Sequence, residues 1–272
     1  MKVNETSKSL IAIFDSGVGG LSVWRELIAI LPDFHFIYLA DNAYCPYGPR
    51  PQEEIIKRTS LITDFFISQG ASIIVVACNT ATAAAIDSLR LNYDIPFIGM
   101  EPAVKTAALH SKSGVIGVLA TLGTFNGKLY HRTLERFASD IKVIEKAGTG
   151  LVELVEAGKT SSPETRALLK LYIDPMIKEG ADHIVLGCTH YPFLTDEIRK
   201  IVGDDVVIVD PSPAVALHTF NTLQQNGVVS EEKPDPLTQT IFYSTGPIDN
   251  LKRVARSILP AIPDKKFIIK SI

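Results

Sequence analysis

Two stretches of the chain match each other without a gap. Residues 70–80 read Gly-Ala-Ser-Ile-Ile-Val-Val-Ala-Cys-Asn-Thr, and residues 180–190 read Gly-Ala-Asp-His-Ile-Val-Leu-Gly-Cys-Thr-His. Five of the eleven positions are identical. Two unrelated buried strands can match that well. The shared frame is the stronger sign of duplication, because it sets Cys78 and Cys188 at the carboxyl end of equivalent strands. Ligands of open α/β sheets bind outside those strand ends. The repeat therefore predicts two similar thiols facing one crevice from opposite sides. Such a pair suits moving a proton from one face of a carbon to the other.

The rest of the chain repeats on the same scale. Short β-branched runs at 11–14, 35–39, 73–76 and 96–99 alternate with helical patterns at 21–31, 53–69 and 81–90. The order then restarts, with strands at 115–119, 141–144, 184–186 and 206–209 and helices at 128–137, 163–179 and 196–201. A helix after Pro213, a polar linker at 230–236, a strand at 240–244 and a helix at 249–259 complete it. Continuous apolar strands between helices indicate parallel sheets covered on both faces. The expected fold class is α/β, with two similar parallel-sheet α/β domains related by pseudo-twofold symmetry and an active site in the crevice between them.

A length of 272 residues accommodates two such units. The composition, 46% apolar and 21% charged, is that of a globular protein, and the net charge of −3 gives no basic footprint for nucleic acid or an acidic membrane. Residues 1–9 are polar and read as a loose tail without a signal sequence, and no apolar run has the length of a membrane span. Three cysteines without a paired CxxC spacing fit a reducing, cytoplasmic setting.

Four segments carry candidate chemistry. Cys78 and Cys188 each precede a helical pattern, starting near 81 and 195, and a helix N-terminus favours the thiolate. Against this stands the ordinary reading of cysteine as a small, inert core residue. Asp15-Ser16-Gly17-Val18-Gly19-Gly20 follows the first strand. It is neither GxGxxG nor a Walker loop, and reads as a tight turn or as a backbone that presents N–H groups to an anion. Asp15 either orients a neighbour or caps a helix. Residues 41–51 form a proline-rich loop, structural or ligand-binding, in which Cys45 lacks a repeat partner and is read as non-catalytic. His190, two positions beyond Cys188, is a structural histidine or a proton-handling neighbour of that thiol. Cys188 and His190 alone are no zinc set, and no metal is expected.

Taken together, Asp15-Ser16-Gly17-Val18-Gly19-Gly20, Pro46-Tyr47-Gly48, Ala77-Cys78-Asn79-Thr80-Ala81-Thr82 and Gly187-Cys188-Thr189-His190-Tyr191-Pro192 resemble the glutamate racemase family, over nearly the whole chain after the tail. The resemblance implies a cofactor-independent racemase of L- and D-glutamate that supplies D-glutamate for bacterial cell-wall peptidoglycan. It implies acid/base roles for Cys78 and Cys188, assistance from Asp15, His190 and Glu156, and substrate contacts from Asp15, Ser16, Tyr47, Gly48, Asn79, Thr80, Thr121, Thr189 and His190. It also implies a discontinuous first domain, 10–98 plus 210–272, around a second at 99–209, and it leaves a homodimer open. The sequence departs from many members at Tyr44, where they have arginine, and at 147–151, which lacks their Cys-Pro. Three other readings stand beside it: a racemase of aspartate or a related acid, a Cys/His thiol hydrolase, and a binding protein that kept the fold without the activity.

Overall fold

The computed structural model describes residues 9–101, 103–230 and 233–272. Most of the expected tail lies outside them. Ser9, its last residue, is buried and donates its hydroxyl to Ser230 Oγ. Positions 231 and 232 of the expected linker also lie outside them.

Two parallel sheets organise the chain. The first runs from β1 (Leu10–Asp15) through β2 (His35–Ala40), β3 (Ile73–Val76) and β4 (Phe97–Gly99). The second comprises β5 (Val115–Ala120), β6 (Lys142–Ala147), β7 (His183–Gly187) and β8 (Val207–Val209). The chain then returns to the first sheet with β9 (Thr240–Ser244) and β10 (Phe267–Ile269). The spatial orders are β10-β9-β2-β1-β3-β4 and β6-β5-β7-β8. Without β9 and β10, each sheet is laid out second, first, third, fourth. The repeat seen around the cysteines is thus a repeat of topology, with β3 and β7 in equivalent places. Its details recur too. Gly70 and Gly180 both adopt left-handed φ, 81° and 90°, where a helix turns into the strand. A side chain is strained there.

Alternation along the strands sorts the core into layers. Ile11 and Ile13 of β1 face one cluster, while Ala12 and Phe14 face another. The cluster under Ile11 and Ile13 extends into the second sheet through Leu119, Ile184 and Leu186. One apolar core therefore joins the inner faces of both sheets, and each sheet has a separate outer cluster.

Eleven α-helices cover these faces among the described residues: α1 (Leu21–Ile30), α2 (Gln52–Ser68), α3 (Asn79–Asn92), α4 (Val104–His110), α5 (Leu122–Phe125), α6 (Lys128–Phe137), α7 (Leu151–Glu156), α8 (Pro163–Lys178), α9 (Thr195–Val202), α10 (Ser212–Gln225) and α11 (Asp249–Ile258). None of the helices among the described residues is long and apolar enough to cross a membrane. The long helices follow the expected ranges. The short ones α4, α5 and α7 carry too few turns for periodicity to reveal them.

Candidate active site

The carboxyl ends of β1, β3, β5 and β7 converge where the sheets meet. Asp15 is the last residue of β1, Thr121 follows β5, and Cys78 and Cys188 follow β3 and β7. A small cavity of about 20 Å³ is lined by Ser16, Pro46, Tyr47, Gly48, Cys78, Asn79, Thr80, Thr121, Val152, Cys188, Thr189 and His190. Both thiols share it. A larger cavity, about 550 Å³, lies beyond Gly48 and Thr80 and holds neither.

Cys78 is the N-cap of α3, and its sulfur accepts from the Ala81 N–H at 3.4 Å. The helix starts at Asn79, two residues before the expected 81, so Asn79 and Thr80 occupy its first turn. The helix N-terminus expected to favour the thiolate is opposed here. Burial pushes the Cys78 thiol well up and the nearby Asp15 charge adds to it, outweighing the one helix N–H. Cys188 has no such cap. A 3₁₀ turn, Tyr191–Leu194, separates it from α9.

Asp15 and Glu156 stand behind the cavity wall. Asp15 is fully buried, and its Oδ2 accepts from the Gly20 N–H at 2.9 Å. Burial raises its carboxyl, against the pull of the His190 charge and the Gly20 N–H. His190 stands among three partners. Its Nδ1 is 3.9 Å from Cys188 Sγ and 3.9 Å from Asp15 Oδ2, and its Nε2 is 2.7 Å from Glu156 Oε1. Burial alone would lower its pKa, but Cys188, Glu156 and Asp15 together hold it well above the imidazole range. For Glu156, burial pushes upward and is outweighed by His190, the Val18 N–H at 2.8 Å and the Asn250 amide at 2.6 Å, so its carboxyl lies below its ordinary range.

The glycine-rich turn serves these carboxylates. None of Gly17, Gly19 and Gly20 has positive φ. They are glycines for space: a Cβ on Gly17 would lie 1.9 Å from Glu156 Oε1, and one on Gly19 would lie 2.3 Å from His190 Nδ1. The turn's N–H groups do meet anions, and the anions are the protein's own, Glu156 at Val18 and Asp15 at Gly20.

The loop carrying Tyr47 and Gly48 hangs on a buried ion pair. Asp41 accepts from Arg58 Nε at 3.1 Å and Nη2 at 2.9 Å, from the Tyr47 hydroxyl at 2.6 Å and from the Thr245 hydroxyl at 2.7 Å. Sequence reasoning missed Arg58, Asn250 and the proximity of Cys45, whose Sγ lies 3.8 Å from Glu156 Oε1. Cys45, Glu156 and His190 form a donor set that could hold a metal ion, drawn from three distant segments that no spacing rule connects. Across the cavity Thr80 and Thr121 hydroxyls meet at 2.8 Å, while Asn79 Oδ1, Thr189 Oγ1 and Asp15 Oδ1 are buried without a hydrogen-bond partner.

A model of the Asp/Glu/Hydantoin racemase family matches residues 20–219. The glutamate racemase of Ectopseudomonas mendocina is 44% identical over 254 residues, spanning 93% of this chain and 95% of its own. Among solved structures, a glutamate racemase of Bacillus anthracis superposes with a TM-score of 0.85 at 32% identity, covering 98% of both chains. The glutamate racemase of Francisella tularensis in complex with D-glutamate gives 0.84 at 29% identity, covering 97% of this chain and 98% of its own. With the fold and these relatives in agreement, the chain belongs to the Asp/Glu/Hydantoin racemase family, with its glutamate racemases, and is an amino-acid isomerase.

Proposed function

We propose that this protein interconverts L- and D-glutamate by a two-base proton transfer between Cys78 and Cys188, with no organic cofactor. The crevice would lie between a lobe of residues 10–98 plus 210–272 and a lobe of residues 99–209. The carrying observation is that two cysteines at equivalent strand ends line one cavity. A single base cannot readily reach both faces of a fixed carbon. Two thiols can, since each serves as acid or base near neutral pH. By family resemblance, Cys78 acts as base on the D form and Cys188 on the L form.

The surroundings support different helpers for the two thiols. Asp15 bears on Cys78, and His190 with Glu156 behind it bears on Cys188. Ionising even an unperturbed thiol of pKa ~8.5 at pH 7 costs only about 2 kcal/mol. Enzymes commonly lower barriers by about 8 kcal/mol or more. Most of the effect must come from fixing the substrate and stabilising its carbanion-like state. Asn79 Oδ1 and Thr189 Oγ1 are buried at the cavity without partners, a state that a polar ligand relieves. Together with Ser16, Tyr47, Gly48, Thr80 and Thr121 they are the proposed substrate contacts. The substrate's ammonium would also bring a positive charge beside the burial-raised Cys78 thiol. A cavity of about 20 Å³ holds roughly one water, so a five-carbon diacid enters only as the walls part. Closure would then expel water from the reacting carbon. The proposed cellular role is supply of D-glutamate for peptidoglycan.

Incubation with each glutamate enantiomer in D₂O tests this reading, following optical activity and α-deuterium. Racemisation with deuterium incorporation is expected from both enantiomers. Cys78→Ala and Cys188→Ala should each lose racemisation by at least about 10²–10⁴-fold. Substantial turnover by either variant would sink the two-thiol scheme, and faster exchange of aspartate would reassign the substrate.

A further inference from the structure

Behind the thiol cavity the fold assembles a second constellation. Glu156 Oε1 lies 2.7 Å from His190 Nε2 and 3.8 Å from Cys45 Sγ, and all three donor atoms lie within 4.8 Å of one another. Thiolate, imidazole and carboxylate are the zinc ligands of proteins. At zinc bond lengths of about 2.0–2.3 Å, tetrahedral donors sit roughly 3.3–3.7 Å apart. The sulfur–oxygen separation is already close to that, and the nitrogen–oxygen pair needs to open by less than about 1 Å.

Three further features fit an ion. Asn250 donates to Glu156 Oε2 at 2.6 Å, which orients the carboxylate and leaves Oε1 toward Cys45 and His190. A cavity of about 330 Å³, lined by Asn42, Cys45, Glu156 and Asn250 among others and by neither Cys78 nor Cys188, reaches two of the three ligands. It offers an ion a route and room for a water in the fourth position. Electrostatically, the buried Asp15 and half-buried Glu156 carboxylates share a single imidazole.

We propose that Cys45, Glu156 and His190 form an inhibitory site for a thiophilic divalent cation such as zinc. Binding displaces two protons to solvent, one from the Cys45 thiol and one from His190 Nε2. The metal then fixes the imidazole that stands beside Cys188: the Nδ1 proton stays on the ring facing that thiol, while Nε2 can no longer exchange a proton with Glu156. The inhibitory consequence rests on the racemase reading, whereas the site itself does not.

Co²⁺ titrated into the full chain carrying Cys78→Ser and Cys188→Ser reads the site without activity. One equivalent should produce a sulfur-to-cobalt charge-transfer band that disappears when Cys45→Ser is added, and Cys45→Ala gives the same readout in a second background. A band that persists without Cys45, or no band at all, overturns the site. In the otherwise native chain, Cys45→Ser should retain racemisation and need at least about tenfold more buffered free Zn²⁺ for half-inhibition. Unchanged sensitivity would place the metal on Cys78 and Cys188 and overturn the proposal. Cobalt binding by a chain that racemises nothing when metal-free would sink the racemase reading and leave the site standing.

Discussion

Gly17 carries no side chain because Glu156 occupies the space one would fill. Gly17→Ala must push away an oxygen already fixed by His190 and the Val18 N–H. Overpacking of this kind costs about 1–3 kcal/mol. Chemical denaturation should show a loss in that range, while the rate falls further, by at least about tenfold, since His190 loses its alignment. Near-native turnover would mean that Glu156 is dispensable. Asp15 carries a second prediction. Its charge is one reason the Cys78 thiol is pushed up. Asp15→Asn should therefore move the acidic limb of kcat/KM for D-glutamate toward lower pH, because the thiol loses its proton more readily. A shift to higher pH, or none, would contradict that electrostatic role. At this scale the sequence marked Asp15, Cys78, Cys188 and His190 through strand ends and the repeat. It could not mark Cys45 as a neighbour of Glu156, because 111 positions separate them and no local pattern spans that distance.

Among elements, the loop of residues 41–51 looked like a rigid proline-rich turn, and what holds it is an ion pair. Asp41 is fully buried and receives four side-chain hydrogen bonds, two of them from Arg58 on α2. Tyr44 explains itself here: the Arg58 guanidinium stacks over its ring at 4.0 Å. An arginine at 44 would set a second cation against the first. Arg58→Ala leaves the Asp41 carboxylate buried without its cation. The expected loss is about 3–5 kcal/mol in denaturant unfolding. Below the new unfolding midpoint, KM should rise more than kcat falls, because Tyr47 and Gly48 lose their anchor. The helix α7, which delivers Glu156, was invisible in the sequence. Its six residues give under two turns, and it starts from Gly150 in the left-handed region rather than from a recognisable cap.

Across the whole molecule, Glu156 is a tie. It sits on α7 in the half built on the second sheet, and it accepts from Val18 and Asn250, which belong to the half built on the first. Glu156 is held below its ordinary range despite burial, and His190 above its own. The carboxylate's contribution to stability is present above its unfolded pKa of ~4.3 and is lost as pH falls through the lower folded value. The imidazolium's contribution is fully present below ~6.5 and is lost as pH rises through the higher folded value. Wild type should therefore exceed Glu156→Gln in urea midpoint most clearly between about pH 4.3 and pH 6.5, with the gap narrowing on either side. A gap independent of pH would show that the tie is steric rather than ionic.

Apart from β10, which is only three residues long, the strands, their parallel pairing, the duplication and the position of both thiols at strand ends were legible in the sequence. Each follows from local chemistry: β-branched runs, glycine at left-handed turns and a repeat read in register. Tertiary structure alone decided which charges surround those thiols. The Asp15–His190–Glu156 cluster, the Asp41–Arg58 anchor and the approach of Cys45 join segments that the chain brings together only once both sheets share a core. Burial there reverses the expectation of a helix-stabilised Cys78 thiolate, because removing a charge from water outweighs one N–H donor.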